Sequence, residues 1–461
     1  MKRTMRLWDI VLMNVTAIIG LRWLPIAAGY GASSILLWIL AGTLFFIPLG
    51  LVSAELATAW PDQGGLYVWI RKAFGDRLGF LTSWFYWISN LFYYPALLTF
   101  IAVTLAFITR PEWALDKRFV CLVIIGVFWA VTLVNCKGLS LGKWLTSVSG
   151  TFGTLLPGLI LIALGLLSVF CWHRPIPTDY AAAKWLPSFS TSNLAFLSTL
   201  MFAMAGIELT PIFAGETEAP QKTFPRATVI SALLIVGTYI LGTAAMTWLV
   251  DPSKIGASSG IMESIKLVAD DLRFPWVTVA VGWMMIIGGF GGASLWVLGP
   301  IKMLFESLQD DVLPPSFTRL NEEGAPQNAM LIQAVLITFI VLGTSLLPTV
   351  DRIYQVLILM TTITYFLPYL LMFAAFLRLR EQYPSVPRPY RVPGGKLSAR
   401  TVAFVGISSV VLAIVLAFVP PADVRTTAEL LVYEGAIAGG PLLLGVLGFW
   451  LYRRHELALA A

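Results

Sequence analysis

The chain has 461 residues, of which 58% are hydrophobic and only 12% are charged. A soluble protein carries about 25% charged residues and needs polar side chains to cover its surface. The composition therefore excludes a soluble fold and is typical of an integral membrane protein. The chain has two His and three widely spaced Cys, which excludes a multi-histidine metal centre and a disulfide framework.

Twelve apolar segments, each long enough to cross a bilayer, follow one another along the chain. A bilayer core of about 30 Å takes about 20 apolar residues in a helix. The segments leave no stretch that could fold as a soluble domain, so the sequence predicts a single transmembrane domain. They begin near Trp8, Ser34, Phe80, Phe119, Thr146, Asn193, Thr228, Trp276, Ala329, Tyr354, Thr401 and Glu429.

The net charge of +6 comes from Lys and Arg residues that are concentrated in alternate loops. With the N-terminus inside, the cytoplasmic segments carry about twice as many Lys and Arg residues as the outer loops. The positive-inside rule then predicts that both termini lie in the cytoplasm. The basic surplus is a topology signal, and it does not indicate nucleic-acid binding.

Two of the predicted spans are interrupted by polar and helix-breaking residues. The first is interrupted at Ala17–Pro25, which contains Arg22, and the sixth at Ala203–Pro211, which contains Glu208. Matching breaks in two halves of a chain are typical of transporters with inverted repeats, whose half-helix ends form a substrate site near the midplane. Freed N–H groups attract a carboxylate and freed carbonyls attract an ammonium, which suits a zwitterionic amino acid. The alternative is that Gly and Pro merely kink packed helices.

Four motifs on this plan follow the order of a known family. They are Glu55–Gly75, Phe202–Ala227, Asn321–Ala329 (NEEGAPQNA) and Pro389–Gly395 (PYRVPGG). With them, the chain resembles the amino acid-polyamine-organocation transporters, and most closely their bacterial glutamate/GABA antiporter-like branch. The resemblance implies an all-α integral membrane fold with five helices, five inverted helices and two more, in which helices 1 and 6 are broken.

The resemblance also implies how the single domain, residues 1–461, is divided. The first repeat would cover about residues 8–172, the second about 193–379, and the two extra helices about 401–452. It further implies a place in the inner membrane of a bacterium. The expected partners are an amino acid substrate and the lipid bilayer, and no cofactor is expected.

The same resemblance assigns substrate-binding roles at both breaks. The backbone of Ile18–Leu21 would hold the substrate carboxylate, and that of Phe202–Ile207 its ammonium group, with the Phe202 ring as an outer lid. Trp296 resembles an aromatic residue that divides the pathway, with Leu295 as the alternative across a one-residue gap. The predicted binding residues, including two on helix 3 that match positions facing the site, are Ile18, Ile19, Gly20, Leu21, Arg22, Asn90, Tyr93, Phe202, Ala203, Ala205, Gly206, Ile207 and Trp296.

Two positions depart from the family pattern. The first break reads Gly20-Leu21-Arg22 where the family has a Gly-x-Gly segment, so a guanidinium replaces the second glycine and supplies a fixed positive charge. On helix 5, Ser147 is the closest match to a lysine that some sodium-independent members carry. The coupling ion therefore stays open between a proton and sodium.

Arg22 and Glu208 are the two charged residues that lie deep in predicted spans. An Arg near the bilayer centre costs about 2.5–3.5 kcal/mol, so it should face the interior and be paired. Arg22 could bind an acidic substrate group, pair with Glu208, or extend to the outer face. Glu208 could act in proton coupling or gating, or could close a gate by a hydrogen bond without titrating.

Two structural predictions accompany these functional ones. Glu55 lies near the cytoplasmic end of the second span, where charge is tolerated, and is predicted to pair with a basic loop residue. The Gly288–Gly292 run on the eighth span is predicted to permit close helix packing or a local bend.

These features predict a secondary active transporter, an antiporter or a proton-coupled symporter, that moves an amino acid by alternating access. Arg22 favours an acidic amino acid such as glutamate, or its decarboxylation product, over a polyamine. The alternatives are a neutral amino acid permease, if Glu208 neutralises Arg22, and a non-transporting membrane sensor with the same fold. An enzyme is not indicated, because the sequence offers no nucleophile with its base, no paired acids and no metal cluster at a useful spacing.

Overall fold

The computed structural model describes residues 3–137, 145, 147–187, 191–256, 259–271, 273–307, 312, 317, 319–322, 325–346, 349–420 and 426–460. Within these ranges the regular structure is helical, and the one strand-like feature is an isolated bridge between Met5 and Thr217. The predicted all-α fold is confirmed. Thr146, the predicted start of the fifth span, lies outside the described residues.

Helices make up most of the described residues. The main α-helices are α1 (Leu7–Ile18), α2 (Trp23–Ala28), α3 (Ser33–Ala59), α4 (Leu66–Phe74), α5 (Asp76–Thr109), α6 (Lys117–Asn135), α7 (Ser149–Phe170), α8 (Thr191–Ala203), α9 (Pro220–Leu249), α10 (Gly260–Asp271), α11 (Trp276–Glu306), α12 (Gln327–Thr344), α13 (Val350–Gln382), α14 (Gly395–Ala417) and α15 (Thr427–Ala460). A 3-10 helix, Thr210–Glu216, follows α8.

Ten helices in the described part of the chain are long and apolar enough to cross a membrane. They are α3, α5, α6, α7, α9, α11, α12, α13, α14 and α15. These helices coincide with ten of the predicted segments, which makes the chain a multi-pass membrane protein. At the first and sixth predicted segments, α1 and α8 stop after 12 and 13 residues.

The first helical gap lies between α1 and α2. The backbone leaves the helix at Ile19, whose φ of −68° and ψ of 100° are extended values. Helical structure begins again at Trp23, and Pro25 follows within the first turn of α2. Proline is tolerated in a first turn because the N–H that it lacks would have no helical partner there.

The second gap lies between α8 and the 3-10 helix. Here Gly206 has a φ of +127°, a backbone conformation that favours glycine because a Cβ atom would clash. The 3-10 helix begins at Thr210, and Pro211 lies at its start. Glycine thus permits the turn out of one helix and proline suits the start of the next.

The gaps lie in the middle of the packed helices. The long α5 packs along both α11 and α13, and α9 packs along α1 and α7. Where α7 crosses α11, a Cβ atom built on Gly153 would lie 2.3 Å from the Gly288 backbone. The close packing predicted for the glycine run of α11 is therefore confirmed at Gly288, and any larger residue would force the two helices apart.

A buried carboxylate joins the end of α3 to the end of α13. Glu55 accepts hydrogen bonds from Arg380 Nε at 2.7 Å and Arg380 Nη2 at 2.5 Å, and from the Val392 N–H at 2.7 Å. Arg388 Nε lies 3.4 Å from the same carboxylate. The predicted pairing of Glu55 with a basic residue is confirmed, and the carboxylate is fully compensated.

A second polar cluster closes the end of the bundle that holds the N-terminus. Lys302 pairs with Glu216, and the Gln63 amide donates to Glu306. The Met5 N–H donates to the Glu216 carbonyl at 3.0 Å. These contacts tie the end of α11 to the segment beyond the second gap, so the helices meet tightly on this side.

Candidate binding site between the two helical gaps

A small cavity, termed the first cavity, lies where the two helical gaps meet α5, α11 and α13. Its volume is about 20 Å³, which is room for one or two water molecules. The walls are aromatic and small polar side chains together with one cation. The lining residues are Ala17, Ile18, Arg22, Trp23, Ser89, Asn90, Tyr93, Phe202, Ala203, Ala205, Trp296, Thr361 and Tyr365.

Most of the predicted binding residues meet at this cavity. Those that line it are Ile18, Arg22, Asn90, Tyr93, Phe202, Ala203, Ala205 and Trp296. Ile19, Gly20 and Leu21 instead line a neighbouring second cavity, together with Arg22 and Tyr93.

Two of the predicted residues line neither cavity. The Gly206 N–H donates to the Tyr369 hydroxyl at 3.1 Å, and the Ile207 side chain is buried. Leu295, the alternative to Trp296, is buried away from both cavities. The part that each residue plays in binding stays a prediction.

The second cavity lies on the side of Arg22 that faces α7 and α11. Its volume is about 30 Å³, and glycines form a large part of its wall. The lining residues are Thr16, Ala17, Ile19, Gly20, Leu21, Arg22, Tyr93, Leu97, Phe100, Gly153, Thr154, Met285, Gly288, Gly289 and Gly292.

The Arg22 guanidinium is buried, and it has no counter-ion among the residues that the structure describes. Arg22 is only 5% exposed, and its Nη2 donates one hydrogen bond to the Tyr93 hydroxyl at 3.0 Å. The guanidinium carbon lies 4.6 Å from the Trp23 ring centre and 5.4 Å from that of Tyr93. Nε has no hydrogen-bond partner, and among the described residues no carboxylate pairs with Arg22. A charge in this state attracts an anion strongly, because little solvent screens it.

Glu208 is also fully buried, but its carboxylate is well satisfied. The hydroxyls of Tyr86 and Tyr365 donate to Oε1 at 2.8 and 2.5 Å, and that of Tyr369 donates to Oε2 at 2.6 Å. The ion pair between Arg22 and Glu208 that the sequence left open is not formed. Since Tyr365 also lines the first cavity, Glu208 lies one hydroxyl group away from it.

Tyr239 joins the two gaps through a single hydroxyl group. Its one O–H proton is shared between the carbonyls of Ile18 at 2.6 Å and Ala203 at 2.8 Å, and its oxygen accepts a hydrogen bond from the Gly20 N–H at 3.1 Å. These are the last carbonyls of α1 and α8. The Tyr239 ring stacks on Trp38 with centres 4.4 Å apart, which fixes its position.

Sequence reasoning missed the tyrosines that hold this site together. A tyrosine in an apolar span signals only that its hydroxyl needs some partner. Tyr365 and Tyr369 carry one further signal, because their four-residue spacing places them on one face of α13. Their partner lies more than 150 positions away along the chain, and no local pattern identifies it.

Trp296 is fixed against the first gap. Its indole N–H donates to the Ala17 carbonyl at 3.0 Å, and its own carbonyl accepts a hydrogen bond from the Tyr94 hydroxyl at 2.6 Å. On the opposite wall, Phe202 meets the rings of Trp23 and Tyr93 edge-on, with centres 5.8 and 6.1 Å apart. The cavity is thus enclosed by rigid aromatic rings, which suits a small ligand.

Within the residues that the structure describes, no group of three or more His, Cys, Asp or Glu side chains could hold a metal ion. The polar groups at the gaps are one guanidinium, one carboxylate, hydroxyls, one amide and freed backbone groups. Such groups can bind and orient a small zwitterion or anion.

Comparisons with known proteins found a family model and several similar transporters. The family model described as amino acid permease matches residues 5–441. An uncharacterized transporter of Legionella pneumophila is 36% identical over 99% of this chain and 98% of its own length. A glutamate/gamma-aminobutyrate antiporter of Lactococcus lactis is 25% identical over 91% of this chain and 84% of its own length. A protein of the same species named "Probable agmatine/putrescine antiporter" is 28% identical over 80% of this chain and 78% of its own length.

Proposed function

Because this chain belongs to the amino acid permease family of the amino acid-polyamine-organocation superfamily, we propose that it exchanges amino acids across a bacterial inner membrane. In this proposal the substrate carries a carboxylate that Arg22 binds, and an acidic amino acid such as glutamate or its decarboxylation product fits best. Transport proceeds by alternating access around the two helical gaps.

The proposed topology has twelve spans. The ten long helices supply ten of them, and α1 with α2 and α8 with the 3-10 helix form two broken ones. The fold then divides into repeats at about residues 8–172 and 193–379, with α14 and α15 as extra helices. Both termini lie in the cytoplasm, in line with the excess of Lys and Arg in the loops on that side.

The buried and uncompensated guanidinium of Arg22 carries the proposal. Leaving a charge unpaired inside a protein costs several kcal/mol, so a ligand that supplies the opposite charge recovers part of this cost after its own desolvation. The planar guanidinium can bind a carboxylate through two parallel hydrogen bonds. A polyamine would place a second positive charge beside the first, which disfavours it as a substrate.

A neutral amino acid permease is the alternative. It would require Glu208 to neutralise Arg22, but three tyrosine hydroxyls already occupy both oxygens of that carboxylate. The same contacts support a gating role for Glu208, because Tyr86 comes from α5 and the other two tyrosines from α13. A movement of α13 against α5 would change the number of donors and so the protonation of Glu208.

Proton coupling is favoured over sodium coupling. The Arg22 cation lines both cavities, and the described part of the chain contributes no Asp or Glu to either wall. A sodium ion would find a repelling charge there and no carboxylate ligand. Glu208, one hydroxyl group from the first cavity, is the group that could carry a proton.

The experiment is counterflow in proteoliposomes that contain the purified protein. Vesicles loaded with unlabelled glutamate should accumulate labelled glutamate, and competition by other amino acids and amines should rank their fit. In Arg22→Gln the exchange of acidic substrates should fall by about 100-fold, which corresponds to the loss of a charge-assisted hydrogen-bonded pair. In Arg22→Lys, which keeps the charge but not the planar fork, exchange should be partly retained.

Three outcomes of this experiment decide the proposal. An equal loss of acidic and neutral substrates in Arg22→Gln would show that Arg22 is structural. Substrate binding without any exchange would favour the membrane sensor. No binding and no exchange of any amino acid, with or without sodium and across pH, would overturn the proposed function.

A further inference from the structure

Arg22 separates two cavities that differ in size, walls and chemistry. The first cavity has Asn90 and Phe202 in its wall, whereas the second is bounded by Gly153, Gly288 and Gly292. The proposed substrate site centres on the first cavity, although the predicted binding residues Ile19, Gly20 and Leu21 line the second. The second one needs an explanation of its own, because a buried cavity beside a charged group seldom stays empty.

The charge in the wall of the second cavity selects the sign of its ligand. The Arg22 side chain is more than nine-tenths buried, and its Nε donor has no hydrogen-bond partner. No Asp or Glu is among the described residues that line this cavity. An anion would supply both the missing countercharge and a hydrogen-bond acceptor, whereas a cation would be repelled.

The size of the cavity limits that anion. A volume of about 30 Å³ holds about two water-sized spheres, which a monatomic halide fills while the walls stay in place. A larger anion, such as an amino acid or sulfate, would require the walls to move apart, as the proposed exchange requires of the first cavity. The glycine walls let an ion approach the backbone closely, and the Thr154 hydroxyl offers a second polar contact.

We propose that the second cavity binds chloride, with Arg22 as its principal ligand. The halide neutralises the guanidinium whenever the first cavity holds no carboxylate. Its consequence for transport rests on the proposed function: chloride would compensate Arg22 while the empty carrier reorients, and would compete with acidic substrates. Halide binding itself is independent of transport.

The test measures thermal unfolding of the purified, substrate-free protein in chloride and in gluconate at equal ionic strength. A ligand that binds only the folded state raises the Tm as its concentration rises. We expect the Tm to rise by a few degrees between about 1 and 300 mM chloride, and we expect bromide, but not sulfate, to do the same. Arg22→Gln should lose this response.

Two further variants distinguish the cavities. Gly292→Ala adds a methyl group to the second cavity, where its nearest neighbour, the Thr16 carbonyl, lies at an ordinary 3.6 Å, and it should weaken the halide response. Thr361→Val alters the first cavity only, and its halide response should be normal. A response of equal size in wild type and Arg22→Gln, or none in wild type, would overturn the proposal.

A direct measurement removes any dependence on how the variants fold. Crystals grown in bromide should give an anomalous peak within hydrogen-bond distance of Arg22 Nε, and a map without that peak would reject the site.

The chloride site and the proposed function can be rejected independently of each other. Arg22-dependent exchange without a halide response leaves the proposed function intact, and a halide response without exchange leaves the chloride site intact.

Discussion

The two helical gaps each bury one ion, and the protein treats the two ions in opposite ways. Beside the second gap, the Glu208 carboxylate accepts three tyrosine hydroxyl groups. At the first gap, the Arg22 guanidinium has one hydroxyl partner, two aromatic rings and an unused Nε. The difference separates an ion that holds the structure together from one that is available to a ligand. It also gives opposite expectations for removing each charge.

The largest expected effect is at Glu208. Glu208→Leu should lower the free energy of unfolding by about 3 kcal/mol, because three buried hydroxyls lose their acceptor and can only partly bond to one another. Chemical unfolding in detergent measures this change. Stability equal to that of the wild type would show that the tyrosines re-pair freely and that Glu208 is not a structural ion.

A matched variant separates structure from coupling at the same position. Glu208→Gln keeps an acceptor oxygen and should lose less stability than Glu208→Leu. If Glu208 takes up a proton during transport, this variant should also flatten the dependence of the exchange rate on pH. A pH profile like that of the wild type would leave Glu208 with a gate-closing hydrogen bond only.

The intermediate effect is at Tyr239, whose hydroxyl joins the two gaps. Tyr239→Phe should lower the free energy of unfolding by about 2 kcal/mol, since two carbonyls and one N–H lose a buried partner. The exchange rate should fall as well. Tyr180→Phe is the control, because it removes a hydroxyl bonded to Thr247 away from the gaps, and it should cost about 0.5 kcal/mol. Equal costs would contradict a special role for Tyr239.

The smallest effect, and the one with the opposite sign, is at Arg22. Arg22→Met should raise the free energy of unfolding by about 1 kcal/mol in gluconate buffer, because an apolar side chain of similar length replaces an uncompensated charge. Arg380→Met is the control, and it should lower stability because the buried Glu55 carboxylate loses two hydrogen bonds. A loss of stability in both variants would show that the Arg22 charge is compensated in the folded protein, and would contradict the difference between the two gaps.

The positions of the gaps could be predicted from the sequence because polar and charged side chains are costly in lipid. An Arg or Glu within an otherwise apolar span is costly in lipid, so each marks a place where the helix faces protein or water. The same reasoning, together with the family resemblance, assigned eight of the residues that line the first cavity. Gly206 and Ile207 line neither cavity, because an unwound segment directs each residue by its own backbone angles, and their part in binding stays a prediction.

The hydrogen-bond partners of the buried polar side chains could not be predicted from the sequence. Tyr239 lies in the apolar α9 next to Thr238, and nothing in that stretch identifies its partner, a carbonyl 221 positions away. The sequence left an ion pair between Arg22 and Glu208 open. In the structure, Glu208 instead accepts hydrogen bonds from tyrosines of α5 and α13. Such choices depend on how helices are rotated against one another.

By itself, the sequence determined the membrane class, most of the spans and the two places where helical structure stops, because each follows from the cost of placing polar groups in lipid. Only the tertiary structure decided that Glu208 is satisfied and that Arg22 is not. Hydrogen bonds and ion pairs require atoms within about 3 to 4 Å, and residues so distant along the chain come that close only after the helices have packed.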